Sequence, residues 1–223
     1  MKKFERLDQA TTPDGTVLTL IRHDREYMIR VGCVELMSTR QHHSEEKLAE
    51  LVCVPLRETP EARVLIGGLG FGFTLAAVLR SLGTDARVVV AELMAAVIEW
   101  NTNPDYELAG FALRDERVEV RHDDVANVLE ASRGVFDAII IDVDNGPDAL
   151  TTVGNGALYR DTGIRAAAAA LRPNGRLAYW SATDDAAFEA ALNRAGLTVE
   201  RIRVPRRAGS RSKHTIFVAQ RMA

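Results

Sequence analysis

Val64-Leu65-Ile66-Gly67-Gly68-Leu69-Gly70-Phe71-Gly72-Phe73-Thr74 reads as a buried strand that opens into a glycine turn, and a second apolar run, Val88-Val89-Val90-Ala91-Glu92, ends in a carboxylate. Glycines let a backbone approach a ligand closely, the helix after the turn presents N–H groups, and a carboxylate can accept both hydroxyls of a ribose. The pairing implies a nucleoside ligand held by Gly68, Gly70, Gly72 and Glu92. Spacing then selects among nucleosides. The glycines run G-x-G-x-G, so Phe73 or Leu75 stands where a dinucleotide fingerprint needs its third glycine, and Phe73 also stands where a phosphate loop needs lysine. NAD and ATP lose ground, and S-adenosylmethionine, which carries no phosphate, fits best.

Outward from this turn, strand-like and helix-like segments alternate. Strands are expected at Arg63–Ile66, Arg87–Ala91, Val118–Arg121, Phe136–Ile141, Arg176–Trp180, Thr198–Val204 and His214–Ala219. Helices are expected at Phe73–Leu82, Ala95–Asn101, Val125–Ala131, Ile164–Leu171 and Ala186–Ala195. Such alternation implies right-handed crossovers and a mostly parallel sheet covered on both faces. A hairpin through Pro205–Ser212 makes the last strand antiparallel. Ligands of such sheets bind beyond the carboxyl ends of the strands, where Gly68, Glu92, Asp123 and Asp142 fall.

The first third has another pattern. Thr16–Ile21, Tyr27–Val31 and Val34–Met37 are short, partly alternating runs separated by turn residues, which predicts an antiparallel β appendage over residues 1–43. Ser44, followed by Glu45 and Glu46, reads as a helix start, with Leu48, Leu51 and Val52 at helical spacing behind it. Residues 44–223 then form the main ligand-binding domain.

Composition narrows the class. The chain has 223 residues, 47% hydrophobic and 26% charged, with a net charge of -3. That balance suits one well-cored globular domain plus a small appendage, and gives no bulk attraction to nucleic acid or an anionic membrane. No apolar run reaches the roughly 20 residues of a membrane span, and the start of the chain lacks a signal-type apolar segment. Cys33 and Cys53 lack C-x-x-C spacing, so neither a disulfide scaffold nor a zinc site is expected and a cytoplasmic location is. No H-E-x-x-H motif exists, and no metal is expected.

Several residues can carry chemistry. Asp123 and Asp124 follow a strand and precede a helix; Asp123 is the candidate acceptor for an adenine amino group and Asp124 the better helix cap. Asp142-Val143-Asp144-Asn145-Gly146-Pro147 closes the fourth core strand. Asp142 and Asp144 can hold a cationic sulfonium or amine and take a proton from a nucleophile, with Asn145 beside them on the substrate side. Trp180, at the end of the fifth strand, can wall a substrate pocket, and His43 can act near its mouth. The basic run from Arg201 to Lys213 can attract an acidic group, although a solvated hairpin explains it more simply.

At these residues the chain resembles the spermidine synthase (polyamine aminopropyltransferase) family. The likeness covers the β appendage, the Ser44–Leu56 helix, the Ile66–Gly72 turn, Ala91–Met94, Asp115–Val118, His122–Asp124 and Phe136–Asp142. It implies a Rossmann-like seven-stranded sheet of the class I methyltransferase type and a homodimer. It also implies that Glu92 binds ribose, Asp123 the adenine, and Asp142 deprotonates an attacking amine. The chain departs from the family in three places. The family's glycine turn, G-G-G-D-G-G, uses its Asp to grip the aminopropyl ammonium of decarboxylated S-adenosylmethionine, and Gly70 stands there. Asn145 replaces a second acid, and a Tyr-His or Tyr-Gln pair expected near Lys47 and Leu48 is absent. Loss of the acid at Gly70 favours ordinary S-adenosylmethionine, so the leading expectation is methyl transfer to a small-molecule or peptide nucleophile. Aminopropyl transfer is the alternative, and a nucleoside-binding protein without catalysis is the third reading.

Overall fold

The computed structural model describes residues 4–13, 15–143, 155–206 and 209–222. Asp144 and Asn145 therefore lie outside the described residues. Four strands, β1 (Glu5–Thr11), β2 (Val17–His23), β3 (Glu26–Val31) and β4 (Val34–Ser38), form an antiparallel sheet in sequence order. β1 is an addition to the three strands expected. Its sequence, ERLDQAT, is mostly exposed and polar at an edge, so it shows no apolar alternation to read.

Helix α1 (His43–Cys53) leads into the main sheet. Ser44 is its second residue rather than its cap, and the N-cap His42 makes no side-chain capping bond. The main sheet contains β5 (Arg63–Gly67), β6 (Arg87–Glu92), β7 (Val118–His122), β8 (Phe136–Ile141), β9 (Leu171–Ser181), β10 (Leu197–Pro205) and β11 (Lys213–Arg221). Their order is β10-β11-β9-β8-β5-β6-β7, parallel except for β11, which runs antiparallel to both neighbours. Between strands lie α2 (Phe73–Ser81), α3 (Ala95–Thr102), α4 (Gly110–Leu113), α5 (Val125–Glu130), α6 (Asn155–Leu158), α7 (Asp161–Ala170) and α8 (Ala186–Arg194). The two shortest, α4 and α6, have four residues each, too few for helical periodicity to mark them.

β5 explains why the sheet is covered twice. Val64 and Ile66 belong to one buried cluster and Leu65 to another, as Ala138 and Ile140 oppose Ile139 and Ile141 on β8. Successive side chains point to opposite faces, so a strand apolar at every position must be packed on both. The appendage shares the first of these cores: Leu18, Leu20 and Ile29 pack in the same cluster as Leu48 and Val52 of α1. Trp100 Nε1 also donates to Asp8 Oδ2 at 2.8 Å, tying β1 to α3. No helix among the described residues is long and apolar enough to cross a membrane.

Candidate active site

The glycine turn leaves β5 at the carboxyl edge of the sheet and enters α2 at Gly72, the N-cap residue. Gly68 has φ +91°, and an added Cβ would collide with the Asp142 carbonyl oxygen at the end of β8. Only glycine lets these two strand ends lie so close. Gly68 N donates to Ala91 O and Asp142 N to Gly67 O, each at 2.9 Å, so the ends of β5, β6 and β8 are laced together. Glu92, buried at the end of β6, accepts from Leu69 N on one oxygen and Met94 N on the other, both at 2.8 Å. Its two oxygens thereby shape the turn.

Two cavities meet here. The smaller, about 80 Å³, is lined by Gly68, Glu92, Met94, Asp124, Val125 and Asp142 among others. The larger, about 440 Å³, includes Glu45, Phe71, Phe73, Asp142, Trp180 and His214 in its lining. Asp142, Gly70 and Met37 line both. Of the residues expected from sequence, Gly68, Gly70, Glu92 and Asp142 gather at the smaller cavity, and Trp180 walls the larger one.

Others go elsewhere. Gly72 lines neither cavity; a Cβ there would strike Ala109. Asp123 lines neither, because its Oδ1 accepts from Asp124 N and Asn127 Nδ2, both at 2.8 Å. Asp124 stands at the smaller cavity instead, while also capping α5 by accepting from Ala126 N. Neighbouring residues point in different directions, so a shift of one position decides which acid lines the cavity. His43 opens α1 and lines neither cavity; His42 stacks on Phe73 at 4.4 Å between ring centroids. Arg201 pairs with Glu189 at 3.4 Å and Arg203 with Asp184, so these two members of the basic run are held by the neighbouring segment around α8.

Asp142 is half-buried. Burial raises its pKa above the ordinary carboxylate range, opposed by a 2.6 Å hydrogen bond from Thr74 Oγ1. Across the larger cavity, Glu45 is raised too, first by burial and then by the charge of Asp142. Sequence reasoning read Glu45 only as part of a helix start. The signal lay in its spacing: Leu48, Ala49 and Val52, the buried face of α1, follow at i+3, i+4 and i+7. A carboxylate on the buried stripe of a helix marks a built environment. Among the described residues, no group of three His, Cys, Asp or Glu side chains is arranged to hold a metal ion.

No protein-family model matches the chain. The polyamine aminopropyltransferase of Leptospira biflexa is 28% identical over 153 residues, which are 68% of this chain and 51% of that protein. The chain thus spans about half the length of this curated relative. A spermidine synthase solved in complex with the transition state analogue AdoDATO superposes with a TM-score of 0.76 at 18% identity, covering 98% of this chain and 73% of that one. The 1,6-didemethyltoxoflavin-N1-methyltransferase of Burkholderia thailandensis, solved with S-adenosylhomocysteine, superposes at 0.58 with 19% identity, covering 81% of this chain and 80% of that one. The chain has a spermidine synthase-like fold on a Rossmann-like, methyltransferase-type sheet, and its sequence is similar to that of a polyamine aminopropyltransferase.

Proposed function

We propose that the chain is a transferase that binds a sulfonium nucleoside at the smaller cavity and passes one of its alkyl groups to an amine in the larger. The observation that carries this reading is the position of Asp142 in the lining of both. Aminopropyl transfer from decarboxylated S-adenosylmethionine has the better support, because the sequence similarity is to an enzyme of that name. Glu92 would accept the ribose hydroxyls, Asp124 would face the base, and the Gly68 backbone would lie beside the sugar. The nucleoside needs more room than 80 Å³, so seating it requires the lining side chains to part.

The bound sulfonium supplies an electrophilic carbon and a neutral thioether leaving group. Asp142 orients the amine nitrogen and takes its proton as the new C–N bond forms; its raised pKa suits it to accept one near neutrality. The enclosed apolar walls, Phe71, Phe73 and Trp180, exclude water from the cation, and positioning supplies much of the remaining rate.

One observation favours the methyl-transfer reading with S-adenosylmethionine. Gly70 lines both cavities at φ +50°, and Met37 Sδ lies 3.2 Å from where its Cβ would be, so no carboxylate grips an aminopropyl ammonium from this position. The two reactions leave different nucleosides. Incubation with each donor and a panel of amines, followed by mass spectrometry, should yield 5′-methylthioadenosine for aminopropyl transfer and S-adenosylhomocysteine for methyl transfer. Neither product from either donor, with nucleoside binding intact, would leave the non-catalytic reading.

A further inference from the structure

A line of hydrogen bonds with one possible direction ends at Glu45. Arg206 Nε lies 2.6 Å from His214 Nε2 and can only donate, so that ring nitrogen accepts. His214, whose pKa burial and then Arg206 push down to about 4, is neutral and carries its proton on Nδ1. Nδ1 lies 2.9 Å from Ser44 Oγ and therefore donates to it. Trp180 Nε1, a donor only, reaches the same oxygen at 3.1 Å. With two bonds accepted, Ser44 has one proton to give, and Glu45 Oε2 receives it at 2.6 Å. Each link polarises the next, so the line presents partial positive charge to one carboxylate oxygen and fixes the other.

Glu45 is thereby held as an oriented acceptor in a cavity it shares with Asp142. Two carboxylates enclosed together repel, and one cation between them relieves both. Among the described lining residues the only permanent cation is Arg206, which is exposed and turned to His214. Met37, Leu69, Phe71 and Phe73 supply apolar wall, Ser38, Gln41, Thr74 and Thr183 add neutral polar groups, and the one other carboxylate of the described lining, Glu35, is exposed. We propose that Glu45 determines acceptor specificity: with Asp142 it brackets one ammonium group of an amine on a short apolar body, and the Arg206, His214, Ser44 line positions it. This rests on the reading of the larger cavity as the acceptor side of a sulfonium-dependent transferase.

The test is calorimetry on the full chain with 5′-methylthioadenosine, putrescine and n-butylamine as probes. Glu45→Gln, which keeps shape and removes charge, should weaken amine binding roughly tenfold or more, while methylthioadenosine binding stays within about twofold. Glu45→Asp should recover part of the amine affinity, which a merely misfolded helix would not. Ser44→Ala should raise KM for the amine more than it lowers kcat. Unchanged amine affinity in Glu45→Gln, or a wild type that takes the nucleoside but neither amine, would overturn the assignment. A wild type that binds the amines but no nucleoside would overturn the transferase reading while leaving Glu45 upheld as an ammonium ligand.

Discussion

Thr74 Oγ1 donates a 2.6 Å hydrogen bond to Asp142 Oδ2, joining the first turn of α2 to the residue that follows β8. This polar contact counters the burial of Asp142 and draws its pKa back down. Thr74→Val keeps the shape and removes the donor. A hydrogen bond to a charged group is worth about 1.5–3 kcal/mol and a pKa unit about 1.4 kcal/mol. The acidic limb of kcat/KM should therefore move up by roughly one pH unit. An unmoved limb would separate Thr74 from the ionisation that governs turnover.

Asp142→Asn removes the proton acceptor but not the wall of the nucleoside cavity. Turnover should fall by about 10²–10⁴-fold, the usual range for general-base catalysis, while nucleoside affinity measured by calorimetry is retained. Glu92→Gln should do the reverse. Glutamine brings an NH₂ group and only one acceptor oxygen to Leu69 N and Met94 N, so the turn loosens and nucleoside binding should weaken by roughly tenfold or more. Equal turnover in Asp142→Asn and wild type would strip Asp142 of its catalytic role.

The buried acids also set the pH dependence of stability. Glu45 rises from an ordinary value of 4.5 to about 7 in the folded chain, and Asp142 rises as well. A group with a raised folded-state pKa holds more protons folded than unfolded, so its contribution is most favourable below the unfolded value and declines as pH rises toward the folded one. Melting temperature should therefore drop between the ordinary carboxylate range and neutrality. Glu45→Gln should gain a few degrees over wild type at about pH 8 and nothing at about pH 4. Scanning calorimetry at both values decides it; a gain of equal size at both would point to packing rather than charge.

Gly70→Asp places a carboxylate where the two cavities join. Aspartate tolerates positive φ better than most residues, and the neighbour that must give way, Met37, is a flexible side chain. Paired with Met37→Ala to make room, it should raise preference for the decarboxylated donor over S-adenosylmethionine by about tenfold. Competition between the two donors, read by mass spectrometry of the nucleoside products, checks this. No change in preference would show that Gly70 does not face the transferred chain.

Much of this could be read from the sequence because the central strands β5, β6 and β8 are apolar at nearly every position and glycines or acids follow at their ends. Val64–Gly72, Glu92 and Asp142 identify the sheet, its order of alternation and the edge where ligands bind. The lining of the smaller cavity at Gly68, Glu92 and Asp142 was legible for the same reason: these residues follow strands whose direction is known. The acceptor side was not. Glu45 reaches Asp142 only because α1 packs against the sheet with its buried stripe inward, and His214 reaches Ser44 across 170 positions of sequence. Asp124 rather than Asp123 lines the smaller cavity because Asp123 Oδ1 is taken by Asp124 N and Asn127 Nδ2, a local geometry that the pair of identical residues does not reveal in sequence.

β11 lies between β9 and β10, although it follows both in the chain. His214, near its start, supplies the bond that aligns Ser44. A shorter chain ending before Lys213 would lose an interior strand, with Ile216 from one buried cluster and Phe217 from the other, and Ser44 would lose its His214 partner. On the proposed function, acceptor choice thus depends on a strand remote in sequence from the helix it steadies.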